Sequence, residues 1–271
     1  MINYSTKKSI LTLTFIYVIL MIIFAFYDLN ISISLLNYES IFGRIGQSLA
    51  EVPMDFLTMF SYALIFNTRH KKDILNYFLK FISFIGTFEY GFFMIYYVFK
   101  FAEFDNSLII GMVGGVIFGI ISLFLSKKII NNHEKEYLRI ATIIILSVLF
   151  EELFVNIIKI IINRPRFKDL TSYAEFVPWY KIRSSSISGD SFPSGHTARA
   201  AGIIFIILFS NTKDKRIIYT IISFLWILFI ALGRIILGAH FASDVISGAY
   251  IMLLSFLFVR YFYDKRGIKN E

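Results

Sequence analysis

Long apolar runs separated by short polar segments fill this chain from end to end, and most are close to the 20 or so residues that a bilayer-crossing helix requires. Eight such runs stand out: Ile10–Phe26, Pro53–Phe66, Tyr77–Phe99, Leu108–Leu125, Leu138–Ile162, Ser194–Ser210, Ile217–Gly233 and Asp244–Tyr261. The pattern predicts an all-α fold, a polytopic membrane helical bundle of about eight transmembrane helices. The second run is short and opens at a proline. The first follows Lys7 and Lys8 as a signal peptide would, but it exceeds the usual apolar region and no small-x-small cleavage site follows, so a retained helix is expected. Neither an internal repeat nor a Pro/Gly/Ser-rich linker divides the chain. It reads as one membrane domain, 1–271, in which N-terminal helices (1–130) precede a part (131–271) that holds most of the polar chemistry.

Composition agrees with that pattern and narrows it. The 271 residues are 57% hydrophobic and 17% charged, and the mean hydropathy of +0.68 is far above that of a soluble domain with one core. Cysteine is absent, which removes a disulfide framework, a thiolate nucleophile and any cysteine-based zinc site. The net charge of +8 is spread in short clusters between the apolar runs, a topology signal and not a nucleic-acid footprint.

Lys and Arg gather on the cytoplasmic side of short loops. One set of loops carries Lys7 and Lys8; Arg69, Lys71 and Lys72; Lys127, Lys128, Lys135 and Arg139; Lys213, Lys215 and Arg216; and Arg260, Lys265, Arg266 and Lys269. These segments alternate with acidic ones, so both termini are expected in the cytoplasm of a multi-pass protein of the cell membrane. Segments 163–193 and 234–243 then face outward. The first is rich in Arg and Lys, against the bias, and an anionic ligand is the simplest reason.

Three polar groups sit at these outward ends. In the first, Lys159 closes its apolar run, Pro165 stops the helix, and Arg166 projects from the turn. In the second, Ser194 caps a helix whose first-turn amides have no internal partners, Gly195 lets an anion approach, and His196 follows. In the third, His240 and Asp244 are four apart, so on a helix the carboxylate would accept from one imidazole nitrogen and leave the other as nucleophile or base. Each group has a plain reading in isolation: an interfacial lysine with flanking arginines, an ordinary capped helix start, a structural His–Asp pair. Together with Arg234 they place three cations, two histidines and a carboxylate at one membrane face, as phosphoryl transfer requires. The other histidines, His70 and His133, fall on the opposite side.

Lys159–x6–Arg166, then Pro193-Ser194-Gly195-His196, then Arg234–x5–His240–x3–Asp244 resembles the three-part signature of the type 2 phosphatidic acid phosphatase superfamily, over roughly the C-terminal half. Phe167 stands where that pattern has proline, and Gly233 where it has serine, one phosphate hydroxyl fewer. The resemblance implies a six-helix core, attack by His240 to give a phosphohistidine, orientation of His240 by Asp244, and protonation of the leaving oxygen by His196. Lys159, Arg166, Arg234 and the Ser194 and Gly195 amides would hold the phosphate, with Arg164 and Arg199 as accessory cations and neither metal nor cofactor. The implied activity is metal-independent hydrolysis of a lipid phosphate or diphosphate at the outer face. Undecaprenyl diphosphate is the first choice, on the general need to recycle that carrier, beside phosphatidic acid, phosphatidylglycerophosphate and lipid A. A lipid phosphotransferase using the same histidine and a transporter or channel relaying protons through intramembrane carboxylates are the rival readings. Glu89, Glu151 and Glu152 lie within apolar runs and are expected as bundle-interior carboxylates, protonated or paired, with tuning of Lys159 by Glu152, two turns away, as the rival reading.

Overall fold

The structure is a computed structural model that describes residues 2–68, 73–130, 133–182 and 189–267. Arg69, His70, Lys71, Lys72, Lys269 and the side chain of Arg266 lie outside the described residues, as does part of the loop between Phe167 and Asp190. Nine α-helices are found among the described residues: α1 (Ile2–Leu35), α2 (Ile41–Leu49), α3 (Val52–Asn67), α4 (Ile74–Phe101), α5 (Ser107–Ile129), α6 (Glu134–Ile162), α7 (Gly195–Ala201), α8 (Lys213–Ile236) and α9 (Ala242–Gly267). No strand occurs among them.

Seven stretches are long and apolar enough to cross a membrane. The second is longer than its apolar run suggests: α2 and α3 together span Ile41–Asn67. An eighth apolar stretch, Gly195–Phe209, is shorter. It consists of α7 followed by a 3-10 helix, Gly202–Phe209. The 3-10 segment rises about 2.0 Å per residue against 1.5 Å in an α-helix, which lets these residues extend about 26 Å, close to the hydrocarbon thickness.

The main core lies where α3, α4, α6, the 3-10 helix and α9 meet, around Met54, Met94, Ile144, Phe205, Met252 and Phe256. The outward surfaces of α1, α5 and α8 expose rows of Ile, Leu and Phe, among them Phe26, Ile109 and Phe224. A water-soluble protein would hide these, whereas acyl chains solvate them.

The N-terminal helices pack against the C-terminal ones. Tyr17 of α1 stacks on Tyr250 of α9 with ring centroids 4.0 Å apart, and its hydroxyl lies 3.1 Å from Ser247 Oγ. Helices α1, α2 and α3 all send polar side chains into the region that holds His196 and His240.

Candidate functional site

Local sequence explains how the ends of α6, α7, α8 and α9 meet. Helix α6 stops at Asn163, which takes the left-handed conformation (φ 49°) and donates its N–H to the Lys159 carbonyl. Pro165 then forbids resumption. The segment before α7 is tied to this turn: the Gly189 N–H donates to Asn163 Oδ1, and the Ser191 N–H to the Arg164 carbonyl at 3.0 Å. Only glycine fits at 189, because a Cβ there would sit 2.5 Å from the Arg164 carbonyl group. Ser191 is thereby carried over His240.

Helix α8 ends at Gly238, whose φ of +60° turns the chain. His240 therefore lies in the connection between α8 and α9, two residues before the helix on which the four-residue spacing would have placed it. Its Nδ1–H donates to the Ser191 carbonyl at 2.7 Å, while Asp244 Oδ2 lies 3.8 Å from the same nitrogen. The backbone carbonyl, and not the carboxylate, makes the direct bond that places the proton on Nδ1 and leaves Nε2 with its lone pair. Asp244 acts around this contact. It accepts from the Ser191 hydroxyl, from the Phe241 N–H at 2.8 Å and from Arg164 Nη1. As the third residue of α9 it reaches back to the N-cap amide, as the acidic member of a capping box does.

Arg164 is engaged by protein groups on every side. It is fully buried, and its guanidinium donates to Asp28 of α1 at 2.8 Å, to Asp244, to Ser243 Oγ at 2.8 Å and to the Val177 carbonyl at 2.7 Å. Phe241 covers one face, with its ring centroid 4.0 Å from the guanidinium carbon, and Phe176 lies beyond at 5.3 Å. Phe167, in the place of the proline, is buried against Phe241 and Tyr173. Arg199 is likewise engaged: it pairs with Glu152 at 2.7 Å, Glu51 at 3.4 Å and Asp55 at 3.6 Å. Glu152 is thus partnered with Arg199, and Glu89 lies on the exposed face of α4 instead of in the bundle interior.

The remaining cations face the histidines. Lys159, Arg166, Arg234 and His240 all lie within electrostatic reach of His196. Arg166 is steadied by Asp190 at 2.7 Å and Arg234, 4% exposed, by Gln47 of α2. The Nε atoms of both arginines carry no hydrogen-bond partner. A Cβ at Gly195 would lie 3.7 Å from Lys159 Nζ, so the lysine hangs over the start of α7. The Ser194 amide is not available there, since it donates to the Asp244 carbonyl at 2.9 Å, and its hydroxyl caps α7 at the Thr197 N–H. The amides of Gly195 and His196 remain without partners inside the helix. Position 233 points at α2, where a Cβ would sit 3.3 Å from Gly43 Cα. A serine there would meet backbone and not the cations.

Sequence reasoning missed Ser191, Asp28 and Gln47. Ser191 carried no signal beyond lying within the polar stretch before α7. Asp28 was visible as an acid at the end of an apolar run, a feature that asks for a buried partner.

Burial, opposed by Asp244 and reinforced by Arg234 and Lys159, pushes the His240 imidazole down to about 4. It is therefore neutral near pH 7, as a nucleophile must be. The unfolded chain takes up a proton near pH 6.5 that the folded chain refuses until about pH 4, so folding stability falls as pH drops through that window. The wild type is expected to lose up to about 3 kcal/mol relative to a His240→Asn variant over this range, measured as the difference in detergent unfolding curves between pH 7 and 4.5.

The site defines a class: an integral membrane protein with a neutral, carbonyl-anchored histidine facing a second histidine and three cations at one end of its helices. The sequence model of the PAP2 superfamily matches residues 138–268, the part of the chain that carries these residues. A curated relative, the phosphatidylglycerophosphatase B of Bacillus subtilis (strain 168), is 34% identical over 85 residues, which cover 29% of this chain. The match spans about two fifths (41%) of that relative's length. No solved structure matches the chain.

Proposed function

We propose that the protein is a lipid phosphate phosphatase that works through a phosphohistidine at the outer face of the cell membrane. The single observation that carries this reading is the His240 Nδ1–H bond to the Ser191 carbonyl, which leaves Nε2 free on an imidazole within electrostatic reach of Arg234 and Lys159. In the first step Nε2 bonds to phosphorus and the ester P–O bond breaks. Its electron pair goes to the leaving oxygen, which takes a proton from His196. In the second, His196 accepts a proton from water as the oxygen attacks phosphorus, and the N–P bond breaks to free phosphate and the imidazole. The three cations neutralise the equatorial oxygens in both steps.

The match to the family model and the relative's name support a phospholipid monophosphate as substrate class, with phosphatidylglycerophosphate in the first rank. Undecaprenyl diphosphate rests only on the general need for that carrier. The outward placement is supported by the charge alternation of the loops: Lys159, His196, Arg234 and His240 all lie at the helix ends opposite the basic segments.

The test is phosphate release by purified protein in detergent and EDTA from phosphatidylglycerophosphate, phosphatidic acid, undecaprenyl diphosphate and lipid A. Release from at least one, with an acid-labile phosphoprotein trapped by rapid quench, is the expected result. Transfer of phosphate to added lipid hydroxyls without release to water would assign a phosphotransferase instead.

The close approach of α9 to the start of α7 gives a further check. A Cβ at Gly248 would lie 2.2 Å from the Ser194 carbonyl oxygen, so Gly248→Ala must push α7 and its His196 away from His240. A loss of about 1–3 kcal/mol in stability is expected from the overpacking, together with a fall in kcat, read from unfolding curves and steady-state kinetics.

A further inference from the structure

Next to the phosphate site lies a cavity of about 230 Å³ that the mechanism above does not use. Lys159, Gly195 and His196 line it on one side, and Glu51, Glu151, Glu152 and Arg199 are its other charged lining residues. It is strongly acidic: Glu51, Glu152 and, behind them, Asp55 pair with the one guanidinium of Arg199, and Glu151 adds a fourth carboxylate to the group. Their hydrogen-bonding capacity is only partly used. Glu151 is 1% exposed and its Oε2 has no partner, and Glu51 Oε2 and both Asp55 oxygens accept no hydrogen bond. Glu51 Oε1 lies 3.9 Å from His196 Nε2.

We propose that this cavity is a leaving-group subsite for a hydroxyl or ammonium donor carried one or two carbons from the scissile phosphate ester. The proposal rests on the phosphatase reading and deepens it. His196 delivers its proton to the leaving oxygen, so whatever enters the cavity beside it belongs to the leaving alcohol and not to the phosphate. A group two or three bonds from that oxygen comes within hydrogen-bond range of Glu51, at about 2.7–3.2 Å. Glu51 Oε2 and Glu151 Oε2 take no hydrogen bond, and as carboxylate oxygens both are acceptors, so the complementary ligand is a donor. Filling them lifts the cost of buried, unsatisfied carboxylate oxygens. The same lining sets an anionic leaving group, such as the monophosphate left by a prenyl diphosphate, against three carboxylates, with Arg199 already paired to two of them and Lys159 turned to the scissile phosphate. Undecaprenyl diphosphate is therefore ranked below a monophosphate whose alcohol bears a donor.

The experiment compares kcat/KM for oleoyl lysophosphatidic acid, which has a free 2-hydroxyl, with its 2-O-methyl analogue and with sphingosine 1-phosphate, which places an ammonium at the same carbon. Wild type, Glu51→Gln and Glu151→Gln are measured in the same detergent. The wild type is expected to favour one or both donor-bearing probes over the methyl ether by about tenfold or more, the order of a hydrogen bond to a charged acceptor. In the two variants that preference should shrink to within about threefold. The ratio between probes is taken within each preparation, so partial loss of folded protein does not move it. The wild-type ratio stands even where a variant fails to fold. Collapse only for sphingosine 1-phosphate identifies an ammonium ligand, and collapse only for the lysolipid a hydroxyl. Release from all three probes with a flat wild-type ratio, or a ratio unchanged in both variants, overturns the subsite and leaves the phosphatase reading standing. No release from any probe or from the lipid panel overturns both.

Discussion

Replacing His240 by alanine is expected to abolish phosphate release, with kcat falling by about 10⁴-fold or more while substrate binding survives. The magnitude follows from the role: removing a covalent nucleophile forfeits the whole two-step route, and the residual rate comes from cations that still bind the phosphate. The geometry makes His240 separable from the cations. Arg166 is held by Asp190 and Arg234 by Gln47, neither through the imidazole, so the phosphate cradle should outlast the substitution. A quenched-flow experiment should find no acid-labile phosphoprotein in His240→Ala. In His196→Ala the intermediate should still form from a substrate with a good leaving group, since that group departs without the proton His196 would supply. Activity retained in His240→Ala would remove the phosphohistidine from the mechanism.

The second large effect is structural. Arg164→Ala should destabilise the fold by about 3–5 kcal/mol, because it leaves Asp28 and Asp244 buried without their common partner. Each carboxylate keeps other donors, Ser243 for Asp28 and Ser191 and Phe241 for Asp244, but none of these is charged. Asp28→Asn should act in the same direction with smaller effect, since Arg164 keeps Asp244, Ser243 and Val177. Activity should fall along with stability, because Asp244 and the Ser191 hydroxyl share the bond that sets the carbonyl over His240. Unfolding in detergent, followed by tryptophan fluorescence, gives the measurement: the indole Nε1–H of Trp179 donates to the Met21 carbonyl of α1 at 3.1 Å and so reports on the contact that Arg164 secures. An Arg164→Ala variant as stable as wild type, with altered phosphate affinity, would restore Arg164 to the substrate site.

These two arginines show how far a linear reading reaches. Arg164 and Arg166 are two apart, flank the same proline and look alike as phosphate ligands, yet one is spent on carboxylates from α1 and α9 and the other faces the histidines. Arg199, five residues beyond the cap of α7, is turned by the helical period toward Glu51, Asp55 and Glu152. Nothing in the local sequence of any of them marks the difference. It depends on which side chains, 24 to 148 positions away along the chain, arrive at the same place.

What the sequence determined by itself is the membrane class, the number of apolar runs, and the grouping of His196, His240, Lys159, Arg166 and Arg234 at one side. Hydropathy and charge alternation are summed over many residues, and they act through the bilayer before any tertiary contact forms. The partners of those residues were decided only by the tertiary structure. The left-handed Asn163, the glycine at 189 and the turn at Gly238 bring three chain segments together within a few ångströms, so that a serine carbonyl anchors His240, Asp244 locks that serine, and Gln47 and Asp28 reach in from the N-terminal helices. A hydrogen bond is won or lost over less than 1 Å, and no periodicity in a sequence resolves distance on that scale.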